Sequence, residues 1–460
     1  MKQKYFYFFI LCSASIIFIY FFYANIVRYY NFRTYWDLLS LIKSFQIIIG
    51  KDISANTLYL SGYGGKYIFH DHLYFSSLIY FPFYYLFQHP MTVMALHCLT
   101  SVFAYIFIVL TAYNKGLKNL LSLSILFFIF FLHPTIQGSC IRAVNATNIS
   151  FLALAIMFWS FYSGRNSIYF LSNLLLILTR EDMALISIIW NIIAIVKHRN
   201  YRIPAIIIIF SFIYMLLSFK YLLPAFNDYK SEHLQMQNYF GQLGNSYFNI
   251  IGHLKINFLY ILRQYFQKDA LFCYFILLSP FLFLPVLKPY YFLPVFPLIS
   301  MNLVSLFTGM QDPKYYYFIP VIPFLFISFI EVFANINNKF IIILIFLSAL
   351  AVSSRWGYLP YSPYGKKTLP IEQSIYNDFL EIKKYIPANK PLMTSEFLGV
   401  YFIDNSNLFV YDKNIPYTKY LDKIKFFLIS NKNRNISNIL MEKHNFKIYI
   451  SNSNFTLLTQ

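Results

Sequence analysis

Apolar runs separated by short polar connections recur from the N-terminus to about residue 354, and no other feature of the sequence constrains the fold as strongly. In hydrocarbon every backbone N–H and C=O must be satisfied within the protein, so such a chain becomes a bundle of helices. Eleven segments qualify as transmembrane helices: 5–27, 91–113, 119–133, 147–163, 167–179, 183–196, 203–222, 270–285, 289–305, 316–333 and 339–354. Several are shorter than the ~20 residues of a simple span, which predicts tilted, packed or broken helices. Composition points the same way. Hydrophobic residues fill 58% of 460 positions and charged ones 12%, against about 25% charged in a soluble globule. Such a chain cannot cover a water-facing surface.

The first run follows Lys2 and Lys4 and is not succeeded by a small-residue cleavage site, so it reads as an uncleaved helix. With the N-terminus in the cytoplasm, the inner connections carry Lys115, Lys118, Arg165, Lys197, Arg199, Arg202, Lys288 and Lys339. That is the asymmetry of the positive-inside rule. Glu331 is the one acid near the inner side in this layout. The pair 167–179 and 183–196 reads as a hairpin of two short helices, because one long helix would put Arg180, Glu181 and Asp182 at mid-bilayer. Eleven crossings then place the C-terminal tail outside the cytoplasm, in a plasma or inner membrane. The net charge of +19 is spread through loops and forms no patch, which excludes nucleic acid. Anionic lipid or a phosphate-bearing substrate explains it better. Cys12, Cys98, Cys140 and Cys273 have neither metal-type nor disulfide spacing.

Two regions follow: a transmembrane domain, 1–354, with outer loops 28–90 and 223–269, and a tail domain, 355–460. The first loop holds an amphipathic piece, 32–49, with Trp36, Leu38, Leu39, Ile42 and Phe45 spaced for a helix lying at the membrane interface. The second loop ends on a basic face with Lys255, Arg263 and Lys268. In the tail, a helical stretch at 371–385 and β-rich runs at 425–429 and 446–450 predict a small α/β domain. The patch 431–438 reads as solvated loop or helix edge.

Four places can carry chemistry. Asp37, on the apolar–polar border of the interfacial piece, is either a general base or a water-facing helix charge. Phe69-His70-Asp71-His72 can bind a divalent metal or phosphate, or form an interfacial turn. Arg180-Glu181-Asp182 lines a polar cavity or forms an exposed outer turn, with Arg142 near enough in the layout to share a cavity and hold a phosphate. Lys314, in Asp312-Pro313-Lys314-Tyr315-Tyr316-Tyr317, can contact phosphate from within an aromatic belt.

At these residues the chain resembles the bacterial and archaeal predicted membrane proteins of the domain of unknown function 2079, related to the type-C glycosyltransferases. The resemblance rests on 35–38, on Asp71-His72 with the proline–tyrosine run 78–87, and on 179–185, where Arg180 stands for a lysine. It continues through 239–246, 287–305, Ile386-Pro387-Ala388 and 396–401. Two departures stand out: Val144-Asn145-Ala146-Thr147 replaces a histidine–proline–acid step, and Tyr315-Tyr316 replaces a His-Tyr pair. The resemblance implies a mainly α, polytopic fold and a polyprenyl-phosphate-linked sugar as donor. It further implies a first-loop acid as base (Asp37, with Asp71 next) and phosphate contacts from His72, Arg142, Arg180, Glu181, Asp182 and Lys314. The alternatives are a non-catalytic member of the same fold acting in envelope assembly, and a lipid or solute transporter. No cofactor is required, although a divalent metal is compatible with this chemistry.

Overall fold

Proline placement decides which apolar runs become continuous helices and which break. The computed structural model describes residues 3–34, 36–50, 69, 72–198, 201–226, 239–244, 254–336, 338–367, 371–411 and 417–460. Among these, five helices are long and apolar enough to cross a membrane: Gln3–Tyr30, Pro90–Asn114, Arg202–Phe226, Thr308–Phe333 and Lys339–Trp356. A sixth span consists of Leu120–Leu132 and Pro134–Ile141, bent by 53° at their junction. The cause is local. Pro134 has no N–H to continue the ladder, and His133 before it takes an extended conformation. The His133 ring then caps the second piece by accepting a bond from the Thr135 N–H.

Eleven full-length spans are therefore not what the structure shows. Four other expected spans are shorter apolar helices, Asn148–Tyr162, Asn166–Ile177, Met183–Lys197 and Pro289–Val304, and 270–285 is the helix Lys268–Leu278 followed by 3-10 turns. Between residues 280 and 297, Pro280, Pro285, Pro289, Pro294 and Pro297 break the run into 3-10 turns around the short helix Phe296–Val304. The pair Asn166–Ile177 and Met183–His198 is a hairpin, as its charged junction predicts. Tyr169 donates to Asn191 at 2.7 Å and Ser187 to Asn173 at 2.9 Å, pairings that only antiparallel helices can make. Asn191 also donates to Asn173, and Ser211 of the next helix to Ser187. A buried polar seam thus joins three helices.

Beyond the bundle, five strands form one sheet in the order β2-β1-β3-β5-β4. They are β1 Leu392–Ser395, β2 Leu408–Tyr411, β3 Phe426–Ser430, β4 Lys447–Ser451 and β5 Phe455–Thr459. β1 runs parallel to β2 and β3, while β5 is antiparallel to β3 and β4. Alternate residues face two separate cores. Leu392, Leu408, Val410, Leu428 and Leu457 look toward the bundle, whereas Met393, Phe409, Phe427 and Leu458 face a cluster containing Leu440 of helix Arg434–His444. Burial on both faces explains why β2 reads as a continuous apolar run, with no alternation to reveal it.

The expected interfacial helix forms at Trp36–Ile48, but its apolar stripe does not lie in lipid. Leu38, Leu39, Ile42 and Phe45 are buried against Leu398, Val400, Phe402, Leu408 and Val410 of the C-terminal unit. Burying each is worth about 1.5–3 kcal/mol, a stronger hold than a membrane surface gives one helix face. Gly399 permits the close approach, since a Cβ there would stand 2.7 Å from Leu39 Cδ2. Lys43 is buried on the same helix and donates to the carbonyls of Ile403 at 2.5 Å and Asn405 at 3.0 Å. Replacing it leaves two buried acceptors short of a donor, at about 1–3 kcal/mol each. Lys43→Ala should therefore loosen the C-terminal unit from the bundle, read as faster proteolysis between residues 355 and 372 while the bundle fragment survives. Unchanged cleavage would show that Lys43 does not hold this contact.

Candidate functional site

Asp37 occupies the first turn of helix Trp36–Ile48, where unpaired N–H groups favour a carboxylate. It is half-buried, and its Oδ1 accepts a 2.9 Å bond from Asn145 Nδ2. Asn145 is itself fixed, because its Oδ1 accepts from the Thr147 N–H at 2.8 Å. The donor to Asp37 thus comes from the segment where the sequence departs from the family's histidine–proline–acid step. A carboxylate held at a helix start by an amide has the fixed orientation that general-base work requires.

The turn between the hairpin helices supplies the second group. Arg180 is 2% exposed. It grips Asp182 through two bonds, Nε to Oδ1 at 2.9 Å and Nη2 to Oδ2, while its Nη1 is buried with no partner among the described residues. Glu181 turns the other way. Its Oε1 lies 2.6 Å from His72 Nδ1 and its Oε2 accepts from the Leu73 N–H. Burial pushes the Glu181 carboxyl up, but His72 and Arg180 more than offset this and hold it below the usual carboxylate range. Asp182 thus orients Arg180. Arg142 is engaged elsewhere.

Arg142 Nη1 donates to Asp312 Oδ2 at 3.0 Å, and its guanidinium lies 3.9 Å from the centre of the Tyr315 ring. Lys314, largely buried, shares Asp312 at 3.5 Å and donates to the Tyr364 hydroxyl at 3.3 Å. Two cations thus flank one carboxylate here. Tyr316 and Tyr74 connect the groups. Buried Tyr316 lies within electrostatic range of both Asp37 and Tyr74, and Tyr74 within range of Arg180. The His72 and Tyr74 rings are 5.3 Å apart.

Asp37, His72 and Arg180 with its turn are thereby linked through two phenols. Arg142 and Lys314 reach the same region through Tyr315 and Tyr316. Asp71 and His70 lie outside the described residues. Among the described residues, no group of three His, Cys, Asp or Glu side chains converges to hold a metal. Sequence reasoning passed over Asn145, Tyr74, Asp312, Tyr315 and Tyr316. The signal was present for three of them, since Asn145, Tyr315 and Tyr316 stand at the two departures from the family pattern.

The family model described as "Predicted membrane protein (DUF2079)" matches residues 48–456. No curated protein matches the chain. Among solved structures, ArnT from Cupriavidus metallidurans bound to undecaprenyl phosphate superposes with a TM-score of 0.56 at 10% identity, covering 98% of this chain and 97% of that one. The apo state of the same protein gives 0.51 at 12% identity over 96% and 97%. Arabinofuranosyltransferase AftD from Mycobacteria gives 0.54 at 10% identity, covering 100% of this chain and 40% of that one. Identities this low bear on fold alone, and the fold agrees with the polytopic, type-C glycosyltransferase-like architecture expected from sequence.

One glycine sets the spacing of the site. A Cβ on Gly138 would stand 1.9 Å from the Lys314 carbonyl oxygen and 2.9 Å from its carbon. Both are backbone atoms and cannot swing aside. Gly138→Ala gains about 0.5–1 kcal/mol of helix propensity, but the clash costs about 1–3 kcal/mol or more, so the net effect is destabilising. The unfolding midpoint of the purified protein in detergent should fall. A midpoint equal to or above that of the wild type would refute this close packing.

Proposed function

Since the chain belongs to the DUF2079 family of predicted membrane proteins, we propose that it is a membrane glycosyltransferase moving a sugar from a polyprenyl-phosphate donor to an acceptor hydroxyl on the extracytoplasmic face. The observation that carries this reading is the pairing of an oriented carboxylate, Asp37 on Asn145, with a buried guanidinium, Arg180, whose Nη1 amino group has no hydrogen-bond partner among the described residues. A neighbour of the same fold that is bound to undecaprenyl phosphate supports the class of lipid.

In the proposed reaction Asp37 takes the proton of the acceptor hydroxyl. The acceptor oxygen forms a bond to the anomeric carbon as the bond from that carbon to the phosphate oxygen breaks. The polyprenyl phosphate leaves with the bonding electrons. Arg180 meets the growing phosphate charge, and Arg142 and Lys314, both on Asp312, supply further cationic groups. Asp182 orients Arg180, and Glu181 fixes His72 at the edge of the site. Asp71 is the second candidate base.

The purified protein is to be incubated with a panel of polyprenyl-phosphate sugars and assayed for released lipid phosphate. Asp37→Asn should lower turnover by about 10²–10⁴-fold with lipid binding retained. Full turnover in that variant would move the role of base to Asp71, and no release with any donor would favour a non-catalytic member of the fold. The site and the unit 355–460 are proposed to lie outside the cytoplasm. A reporter active only in the cytoplasm, fused after Gln460, should then be silent, and a bright signal would reverse the topology.

A further inference from the structure

The run from Phe75 to Phe87 is inside out. It folds as a 3-10 helix, Phe75–Tyr80, continued by the short α-helix Phe81–Leu86. Its buried positions are Ser76, Ser77, Tyr80 and Tyr84, and every one of them carries a hydroxyl. Leu78, Ile79, Phe83, Tyr85, Leu86 and Phe87 are exposed instead, Leu86 at 69% and Phe87 at 67%. A helical segment bordering water shows the opposite arrangement. An exposed stripe of large apolar side chains marks an interaction surface.

The hydroxyl face is held by protein. Tyr80 shares a 2.7 Å hydroxyl–hydroxyl bond with Thr100 of helix Pro90–Asn114. Ser77 Oγ donates to the Tyr74 carbonyl at 2.7 Å, and the Ser76 N–H donates to the Leu178 carbonyl at 2.9 Å, just ahead of the Arg180 turn. Phe45 of helix Trp36–Ile48 packs on Phe81 and Tyr84. These contacts fix the rotation of the run and turn the apolar stripe outward.

Continuity with the bundle identifies what covers the stripe. Only Gln88 and His89 separate Phe87 from the helix Pro90–Asn114, which is long and apolar enough to cross a membrane. The 25 residues of that helix rise roughly 37 Å, more than the ~30 Å of hydrocarbon, so its first turn stands at the membrane boundary. No Asp, Glu, Lys or Arg occurs from Leu73 to Asn114. A protein partner would meet a polar rim around its contact, whereas Phe, Leu and Tyr at this level form the belt that suits lipid.

We propose that 75–87 is a monotopic membrane anchor at the end of the bundle that carries Asp37, its stripe immersed where acyl chains meet headgroups. Helix Trp36–Ile48, which periodicity suggested for that place, is covered by protein. The anchor follows directly on His72 and Leu73, which hold Glu181, and it is bonded to Leu178. Its depth therefore sets the level of the Arg180 turn relative to the lipid headgroups. This contact stands whether or not the chain transfers a sugar.

The test is nitroxide accessibility in the full chain, reconstituted in nanodiscs of phosphatidylglycerol and phosphatidylcholine. Cys12, the exposed cysteine, is first replaced by serine, and the other three are buried. Ile79→Cys and Phe87→Cys then carry the label, with Phe103→Cys on the span as lipid control and Asn438→Cys in the C-terminal unit as water control. All four positions are exposed, and an unchanged unfolding midpoint confirms that each labelled protein is folded. Oxygen concentrates in hydrocarbon and a nickel chelate in water. The oxygen-to-nickel ratio at positions 79 and 87 should exceed that at 438 and approach that at 103. A ratio equal to that at 438 would place the stripe in water and overturn the proposal. Labels shielded from both reagents would overturn it as well, because protein would then cover the stripe.

Discussion

The burial of one helix face fixes the geometry of the candidate site. Leu38, Leu39, Ile42 and Phe45 enter the core beneath the sheet, and this burial sets both the axis and the rotation of helix Trp36–Ile48. Asp37 is one residue ahead of that stripe, so its direction follows from the packing of its neighbours. Asn145 then needs only to meet a carboxylate already in place. The aromatic contacts of Phe32 with Phe379, Tyr401 and Phe455 tie the preceding turn to the same core.

Electrostatics at the site follows a common pattern. Each cation is held by an acid close in sequence or across a single contact. Asp182 holds Arg180, and Arg142 and Lys314 share Asp312. Partial neutralisation makes buried charge tolerable, since an unpaired ion in a low-dielectric interior costs several kcal/mol.

Much of the bundle was legible in the sequence because hydropathy reports directly on the cost of unsatisfied backbone in lipid. The hairpin at 166–198 was legible for the same reason: three consecutive charges cannot sit at mid-bilayer. Proline clusters were visible, but hydropathy alone could not tell a broken run from a full span, so segments such as 270–285 were read as more regular than they are. In the tail, β3 and β4 were anticipated while β1, β2 and β5 were not. Helix 36–48 was correctly seen as amphipathic, yet periodicity does not distinguish a lipid surface from a protein one. Asn145 and Tyr316 were noticed only as deviations, because a side chain's partner across the fold leaves no local mark.

The contact between Lys43 and Ile403 joins residues 360 positions apart. At about 5–20 residues per second, a ribosome needs roughly 20–70 s to make the intervening chain. Throughout that interval the apolar stripe of helix Trp36–Ile48 has no sheet to cover it, and the bilayer surface is the nearest substitute. The direction of Asp37 therefore depends on chain made long after it, since the residues that cover this stripe include Leu398, Val400, Leu408 and Val410.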